Sequence, residues 1–229
     1  MTNVPVLRLV SLFASLNDDE LAELAPLFMQ QAIDKGDFVF FEGDPPLWVY
    51  IVIEGRIKLL KHSVDGKQVI LHLLQPGEMF GGVAAFGRRP YPFTAQALIP
   101  SGVLKISGPD FHKIMEQHPE VSNQVVRELA ARLIEAHEAM KNLAIEHVEQ
   151  RIAHTILKLA SHSNGDEPNH MTIDIRLTRQ DIADMSGTTV ETTIRVFSKW
   201  RQAGIVESQN GKIVIHDRER LEAICFQED

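Results

Sequence analysis

Residues 178–200 read TRQDIADMSGTTVETTIRVFSKW, and the reading of this stretch decides the fold. Thr178, followed three positions later by Asp181, makes a capping box that starts a helix through Ile182, Ala183 and Met185. Ser186-Gly187 permits a tight turn, and Thr189 caps a second helix. On that helix Thr193, Val196, Phe197 and Trp200 recur at i, i+3, i+4 and i+7 and share one face, whereas Glu191, Ile194, Arg195 and Ser198 fall almost opposite. The first face is expected to be core and the second to read a partner.

The outward set suits the major groove of double-stranded DNA. Arginine bonds two acceptors on guanine, glutamate accepts from the cytosine amino group, and isoleucine offers apolar contact to a thymine methyl. The hydroxyls of Thr189 and Thr192, the helix N-terminus and the side chains of Arg179 and Gln180 are expected to hold the DNA backbone and fix register. The alternative is that Glu191 and Arg195 form an i,i+4 ion pair on a solvated helix.

Around this core the chain supplies the rest of a winged helix-turn-helix. Met171 to Leu177 alternates like an edge strand, and Ile205 to Ile215, with Asn210-Gly211 in its middle, is a hairpin signal. The polar stretch Ser161 to His170 reads as the loop that opens this C-terminal unit, after a helical segment from Glu149 to Ala160.

Further upstream, residues 120–163 contain neither Gly nor Pro. The first part, 120–147, would make a helix roughly 42 Å long at about 1.5 Å per residue. Within it Val126, Leu129, Leu133, Ala136, Met140, Leu143 and His147 alternate three and four residues apart, a heptad seam that predicts a homodimer. The alternative is a long helix packed only on its own β-roll. From Lys35 to Ile106, short Val/Ile/Leu/Phe runs are separated by glycine turns at Gly36, Gly43, Gly55, Gly66 and Gly77, as in an antiparallel β-roll or jelly roll. Asn17 and Glu20 form a capping box for a short helix, and Val4 to Leu16 reads as an amphipathic helix and not a signal peptide, because Arg8 interrupts it and Asp18, Asp19 and Glu20 follow. The fold class is therefore α+β: a β-roll sensing domain (1–118), a long dimerisation helix (119–147) and a winged helix-turn-helix (148–229).

Composition narrows the function. The chain has 229 residues, a net charge of −8 and ordinary globular composition. Between Arg176 and Arg201 the balance reverses, with Arg176, Arg179, Arg195, Lys199 and Arg201 against Asp181, Asp184 and Glu191, so DNA contact is expected from this module. A single cysteine, Cys225, cannot ligate an iron–sulfur cluster within one chain and fits a reducing cytoplasm. No run approaches the roughly 20 apolar residues of a membrane-spanning helix. An enzyme of the cupin type would need a His-x-His doublet with a downstream Glu and His, and His62 and His72 form no doublet. Gly-rich phosphate loops, Gly-x-Ser-x-Gly elbows and paired catalytic carboxylates are likewise missing, so no enzyme is expected.

The whole order resembles the cyclic-AMP receptor protein / fumarate-nitrate reduction regulator (Crp/Fnr) family of bacterial transcription factors. The stretches that carry the resemblance are Gly36-Asp37, Gly55-Arg56, Asp65-Gly66-Lys67, Gly77-Glu78-Met79-Phe80-Gly81, Asn142-Leu143-Ala144 with Arg151-Ile152-Ala153, and Leu177 to Ala183. The resemblance implies a ligand-gated homodimer that recruits or blocks RNA polymerase, with Glu191 and Arg195 reading bases and the hairpin as wing. Val190 stands where some members carry a second arginine, which implies narrower readout.

The same resemblance implies an effector pocket at Met79, Phe80, Gly81, Gly82, Tyr91 and Thr94, with Ala136, His137 and Met140 of the long helix. Cyclic-nucleotide-binding members carry a Glu and an Arg where this chain has Gly82 and Tyr91 or Pro92, which argues against cyclic AMP, although Arg88 and Arg89 are nearby. Tyr91 to Ala97 is similar to nitric-oxide-responsive members, which implies haem with a diatomic gas. Its iron ligands would be His72 or His137, with His62 a poorer third; the ligand position of carbon-monoxide-sensing members (Gly81, Gly82, Val83) holds no histidine. A small organic metabolite in the apolar space around Met79, Phe86, Phe93 and Met140 is the alternative effector.

Overall fold

The computed structural model describes residues 3–161, 171–209 and 211–226. Its first segment departs from expectation: Val4 to Leu16 forms a short helix, α1 (Val4–Arg8), and a 3-10 turn, Ser11–Phe13. Leu7, Val10, Leu12, Phe13 and Leu16 are all buried. At about 100° per residue those positions point all around one α-helix, so the chain must break to bury them together. The Asn17 capping box forms as read. Its side chain accepts from the N–H groups of Asp19 and Glu20 at 3.0 Å, and α2 (Asp18–Leu24) follows.

Eight strands come next: β1 (Met29–Ile33), β2 (Phe38–Phe40), β3 (Trp48–Glu54), β4 (Ile57–His62), β5 (Gln68–Leu74), β6 (Met79–Phe80), β7 (Thr94–Ala97) and β8 (Ser101–Ser107). They form two antiparallel sheets, ordered β1-β8-β3-β6 and β2-β7-β4-β5. Alternation along β3 shows why both of its faces are apolar. Tyr50 and Val52 join Phe40, Leu59, Leu74 and Ala95 in a core between the sheets, whereas Val49 and Ile51 face a second core with Leu7, Phe13, Leu21 and Phe111. In the turn that carries the chain from β3 in one sheet to β4 in the other, Gly55 has φ +80°, and a Cβ there would stand 2.3 Å from Ser101 Oγ, so the turn admits no side chain. A short helix, α3 (Gly82–Gly87), interrupts the roll where only strands and turns were expected.

After α4 (Gly108–Gln117) the long helix α5 runs Pro119–Ile145. The chain divides into two compact units, Met1–Ile134 and Glu135–Asp229, so the division falls inside α5 and not at its ends. The helix also stops short of His147. That residue has extended backbone (φ −68°, ψ 157°) and is the N-cap of α6 (Val148–Ala160), its N–H donating to Gln150 Oε1 at 2.7 Å. His147 therefore belongs to a helix start and not to the heptad seam.

The second unit continues with β9 (Met171–Ile173), α7 (Arg179–Ser186), α8 (Val190–Gln202), β10 (Val206–Gln209), β11 (Lys212–Ile215) and α9 (Arg218–Cys225). Its sheet is ordered β10-β11-β9, which leaves β9 at an edge and makes β10–β11 the hairpin. The expected loop from residue 162 to 170 and the turn residue Asn210 lie outside the described residues. Helix α9, absent from the sequence-based expectation, packs on α6, and its Leu221 and Cys225 are buried. Among the described residues no helix is long and apolar enough to cross a membrane.

Candidate nucleic-acid interface and effector cavity

The helix-turn-helix is built by its own local chemistry. Asp181 Oδ2 accepts from the Thr178 N–H at 2.9 Å, and Thr178 Oγ1 accepts from the Asp181 N–H at 3.0 Å. Gly187, at φ +61°, ends α7, and a Cβ there would meet Leu143 Cδ2 at 3.1 Å. Arg151 on α6 then clamps the turn: its guanidinium donates to Ser186 O at 3.0 Å, Gly187 O at 3.4 Å and Glu146 O at 2.8 Å. Sequence reading noted Arg151 only as part of a resemblance and did not foresee this role. Three carbonyls converging on one guanidinium leave no pattern in the linear chain.

On α8 the two faces separate as the spacing indicates. Thr193, Val196, Phe197 and Trp200 are buried, and Glu191, Ile194 and Arg195 are exposed. No ion pair joins Glu191 to Arg195 among the described residues, so neither side chain is consumed by the other. Ser198 is half-buried beside them, and Val190 opens the helix.

The backbone-holding residues are more engaged than expected. Thr189 Oγ1 accepts from the Thr192 N–H at 3.3 Å and donates to Thr192 Oγ1 at 3.2 Å, so both hydroxyls already serve the helix start. Gln180 Nε2 donates to Asp184 Oδ1 at 2.7 Å. Arg179 lies 3.7 Å over the Phe197 ring and donates to Ser208 Oγ on β10; burial lowers its pKa. Its guanidinium thus ties α7 to both the recognition helix and the hairpin. A further anchor went unread: Glu149 on α6 accepts from Trp200 Nε1 at 2.9 Å and from Lys199 Nζ at 2.8 Å. A buried indole N–H usually finds an acceptor, but nothing in the sequence says which carboxylate provides it.

The seam of α5 lies largely bare in the single chain. Val126, Leu133, Met140 and Leu143 are each about 60% exposed, and Ala136 is also exposed. Leu129 differs. It is half-buried and packs against the core of the first unit.

A cavity of about 50 Å³ lies in that first unit, lined by Phe40, Met79, Phe80, Gly81, Gly82, Tyr91 and Phe93 together with Leu129 and Arg132 of α5. Five of the expected pocket residues, Met79, Phe80, Gly81, Gly82 and Tyr91, therefore do line it. Thr94 does not: it is buried, and its Oγ1 accepts from the Glu42 N–H at 3.0 Å. Ala136, His137 and Met140 are exposed on the part of α5 that belongs to the second unit. Tyr91 is tied down on the cavity wall. Its ring stacks on Phe40 with centroids 3.8 Å apart, and its hydroxyl donates to Trp48 O at 2.7 Å and accepts from the Trp48 N–H at 3.0 Å. Burial raises its pKa.

Arg132 is the charged lining residue, and sequence reading missed it because it sits among ordinary surface charges of a long helix. Its guanidinium donates to Met79 O and stands 3.8 Å from Glu78 Oε1. The Glu78 carboxylate also meets His72 Nε2 at 3.1 Å and the Gln75 N–H at 2.7 Å. Burial works to raise its pKa, but the bond and charge of His72, the backbone donor and Arg132 outweigh that and hold it below the usual carboxylate range. Burial likewise raises the pKa of neighbouring Glu128 against the pull of Arg132, and the nearby Glu78 charge pushes it further up.

Among the described residues no histidine lines this cavity, so its lining supplies no imidazole to a haem iron. His72 is not part of the lining, and its Nε2 meets Glu78 Oε1. His137 and His62 are exposed. Cys225 is buried in α9, its thiol pushed up to about 12 by burial and the charges of Glu146 and Glu222.

Comparison with known proteins agrees with both halves. Residues 30–118 match the cyclic nucleotide-binding domain family, and residues 150–224 match the Crp-like helix-turn-helix domain family. The chain is 30% identical over 220 residues to the nitrogen fixation regulation protein FixK of Bradyrhizobium diazoefficiens, covering 96% of this chain and 91% of that one. It is 26% identical over 216 residues to the CRP-like cAMP-activated global transcriptional regulator of Mycobacterium tuberculosis, covering 94% and 96%. Among solved structures, FixK2 from Bradyrhizobium japonicum superposes with a TM-score of 0.76 at 24% identity, covering 88% of this chain and 99% of that chain.

Proposed function

Because the chain belongs to the Crp/Fnr family of transcriptional regulators, which are not enzymes, we propose that it is a cytoplasmic homodimer that reads an inverted-repeat promoter site and acts on RNA polymerase. The observation that carries this reading is the division of α8, where Glu191, Ile194 and Arg195 are exposed and mutually unpaired while the opposite face is buried. Arg195 reads a guanine and Glu191 a cytosine amino group in each half-site. The bare apolar stripe Val126, Leu133, Met140 and Leu143 supports pairing through α5, since such a stripe on a helix calls for a partner. Two reading heads on one duplex place the half-sites about one helical turn, roughly 34 Å, apart. The boundaries 1–118, 119–147 and 148–229 describe the working parts of this dimer: sensor, spine and reading head.

For the effector, Arg132 in an otherwise apolar cavity supports a small organic anion. Its negative group would draw the guanidinium from Met79 O and Glu78 while its apolar part displaces Tyr91. Because Arg132 is on α5, such a ligand biases the spine directly. A cyclic nucleotide is the less favoured effector, because Tyr91 or Pro92 stands where an arginine would meet its phosphate and Gly82 where a glutamate would meet its ribose, with Arg88 and Arg89 as the nearest other cations of that loop.

The test is selection of bound duplexes from a random pool by the parent and by Arg195→Ala. The parent should enrich an inverted repeat, and the variant should lose about 1–3 kcal/mol together with preference at one G·C pair per half-site. An unchanged base profile would refute the assignment.

A further inference from the structure

Away from the cavity and the recognition helix, three side chains converge at the root of α5. Glu20 on α2, His118 at the end of α4 and Glu120 in the first turn of α5 each place one possible metal-ligating atom within 4.8 Å of the other two. His118 Nδ1 stands 3.3 Å from Glu120 Oε1, and the His118 side chain is only 15% exposed. The supporting backbone is fixed. The His118 N–H donates to Ile114 O at 2.8 Å, and its carbonyl accepts from the Val121 N–H at 3.0 Å. One oxygen of Glu20 is held by the Asn17 N–H at 2.8 Å, which orients the carboxylate and leaves its other oxygen for a ligand.

We infer that Glu20, His118 and Glu120 form a binding site for one divalent transition-metal ion of the zinc and manganese class. An imidazole with two carboxylates is a donor set that suits these ions, whereas calcium and magnesium favour all-oxygen sites. Donors lie about 2.0–2.2 Å from such an ion, which puts them about 3.4 Å apart in a tetrahedron, so rotation of the three side chains closes the site. Three protein donors leave a fourth position for water. The ion joins α2 to the α4–α5 junction, two segments far apart in sequence, and so stiffens the base from which the long helix starts. Because an unfolded chain does not hold these donors together, binding stabilises the folded form.

The test uses the full chain, stripped with EDTA, desalted, and titrated calorimetrically with zinc chloride and then manganese chloride, with thermal melts in the presence and absence of each ion. Glu20→Gln keeps the helix start, because glutamine also serves in a capping box, and Glu120→Gln is the second variant. The parent should bind one equivalent per chain and melt higher with the ion. Each variant should bind at least about tenfold more weakly while melting in EDTA as the parent does. If either variant melts lower in EDTA, the other decides. No stoichiometric binding by the parent, or binding by both variants as tight as the parent's, would overturn the site and leave His118–Glu120 as a plain ion pair with Glu20 as a cap.

Discussion

Replacing Glu149 tests whether the recognition helix is seated as described. The carboxylate accepts from Trp200 Nε1 at 2.9 Å and from Lys199 Nζ at 2.8 Å, but the two partners differ in burial: Trp200 is fully buried, whereas the Lys199 side chain is 68% exposed. Glu149→Ala strands a buried indole donor, which costs about 1–3 kcal/mol. Loss of the exposed lysine pair adds about 0–1 kcal/mol. The sum is about 1–4 kcal/mol, or roughly 2–16 °C in melting temperature at fixed protein concentration for a chain of this size. Glu149→Gln keeps an acceptor for the indole and should cost about 1 kcal/mol or less. Lys199→Met should be nearly neutral. Urea unfolding of the three variants and the parent measures the series. Equal losses for Glu149→Ala and Lys199→Met would refute the reasoning, because the indole bond would then carry no weight.

The other predictions concern the first unit. Small organic acids screened by thermal shift should include some that raise the melting temperature of the parent, and Arg132→Gln should abolish that rise. Acids that stabilise both proteins equally would remove Arg132 from the effector site. Glu128→Gln should stabilise the protein at pH 7–8, because Glu128 Oε2 is buried without a partner and burial raises its pKa. The sign follows from linkage: a carboxyl with a raised folded pKa favours folding while protonated and loses that contribution as pH rises. The advantage of the variant should therefore vanish on acidification to below the ordinary carboxylate range, and melts across pH check this. Glu78 has the opposite sign, so its contribution is present near neutrality and fades as pH falls.

Much of this was legible in the sequence, and for physical reasons that differ by level. The helix-turn-helix was readable because its signals are local: a capping box at Thr178 and Asp181, a glycine at the turn, and an apolar spacing that buries Thr193, Val196, Phe197 and Trp200. The β-roll was readable from short apolar runs between glycine turns, and the hairpin from Asn210-Gly211 in the middle of Ile205 to Ile215. The segment before Asn17 was misread because its apolar residues fit an amphipathic helix in composition but not in angle. His147 was misplaced because the spacing of a seam continues past a helix end when the next residue happens to be in phase; only its extended backbone shows the break. The cavity was found in part. Met79 to Gly82 and Tyr91 lie on contiguous strand and loop positions, whereas Arg132 comes from a helix more than forty residues on, and its partner Glu78 looks from the sequence like a turn residue. Long-range polar contacts such as Arg151 with Ser186 and Glu149 with Trp200 leave no periodic trace at all.

The most direct measurement of the central claim compares a duplex carrying both half-sites of the selected repeat with one whose second half is scrambled, using fluorescence anisotropy and sedimentation on the parent and Leu133→Glu. Two chains per intact duplex are expected. Scrambling one half should weaken binding by about a hundredfold or more, since several mismatches of about 1–3 kcal/mol each add up, and Leu133→Glu should abolish the difference by separating the chains. One chain per duplex, with the same affinity for both DNAs, would contradict a dimer that reads an inverted repeat through α8.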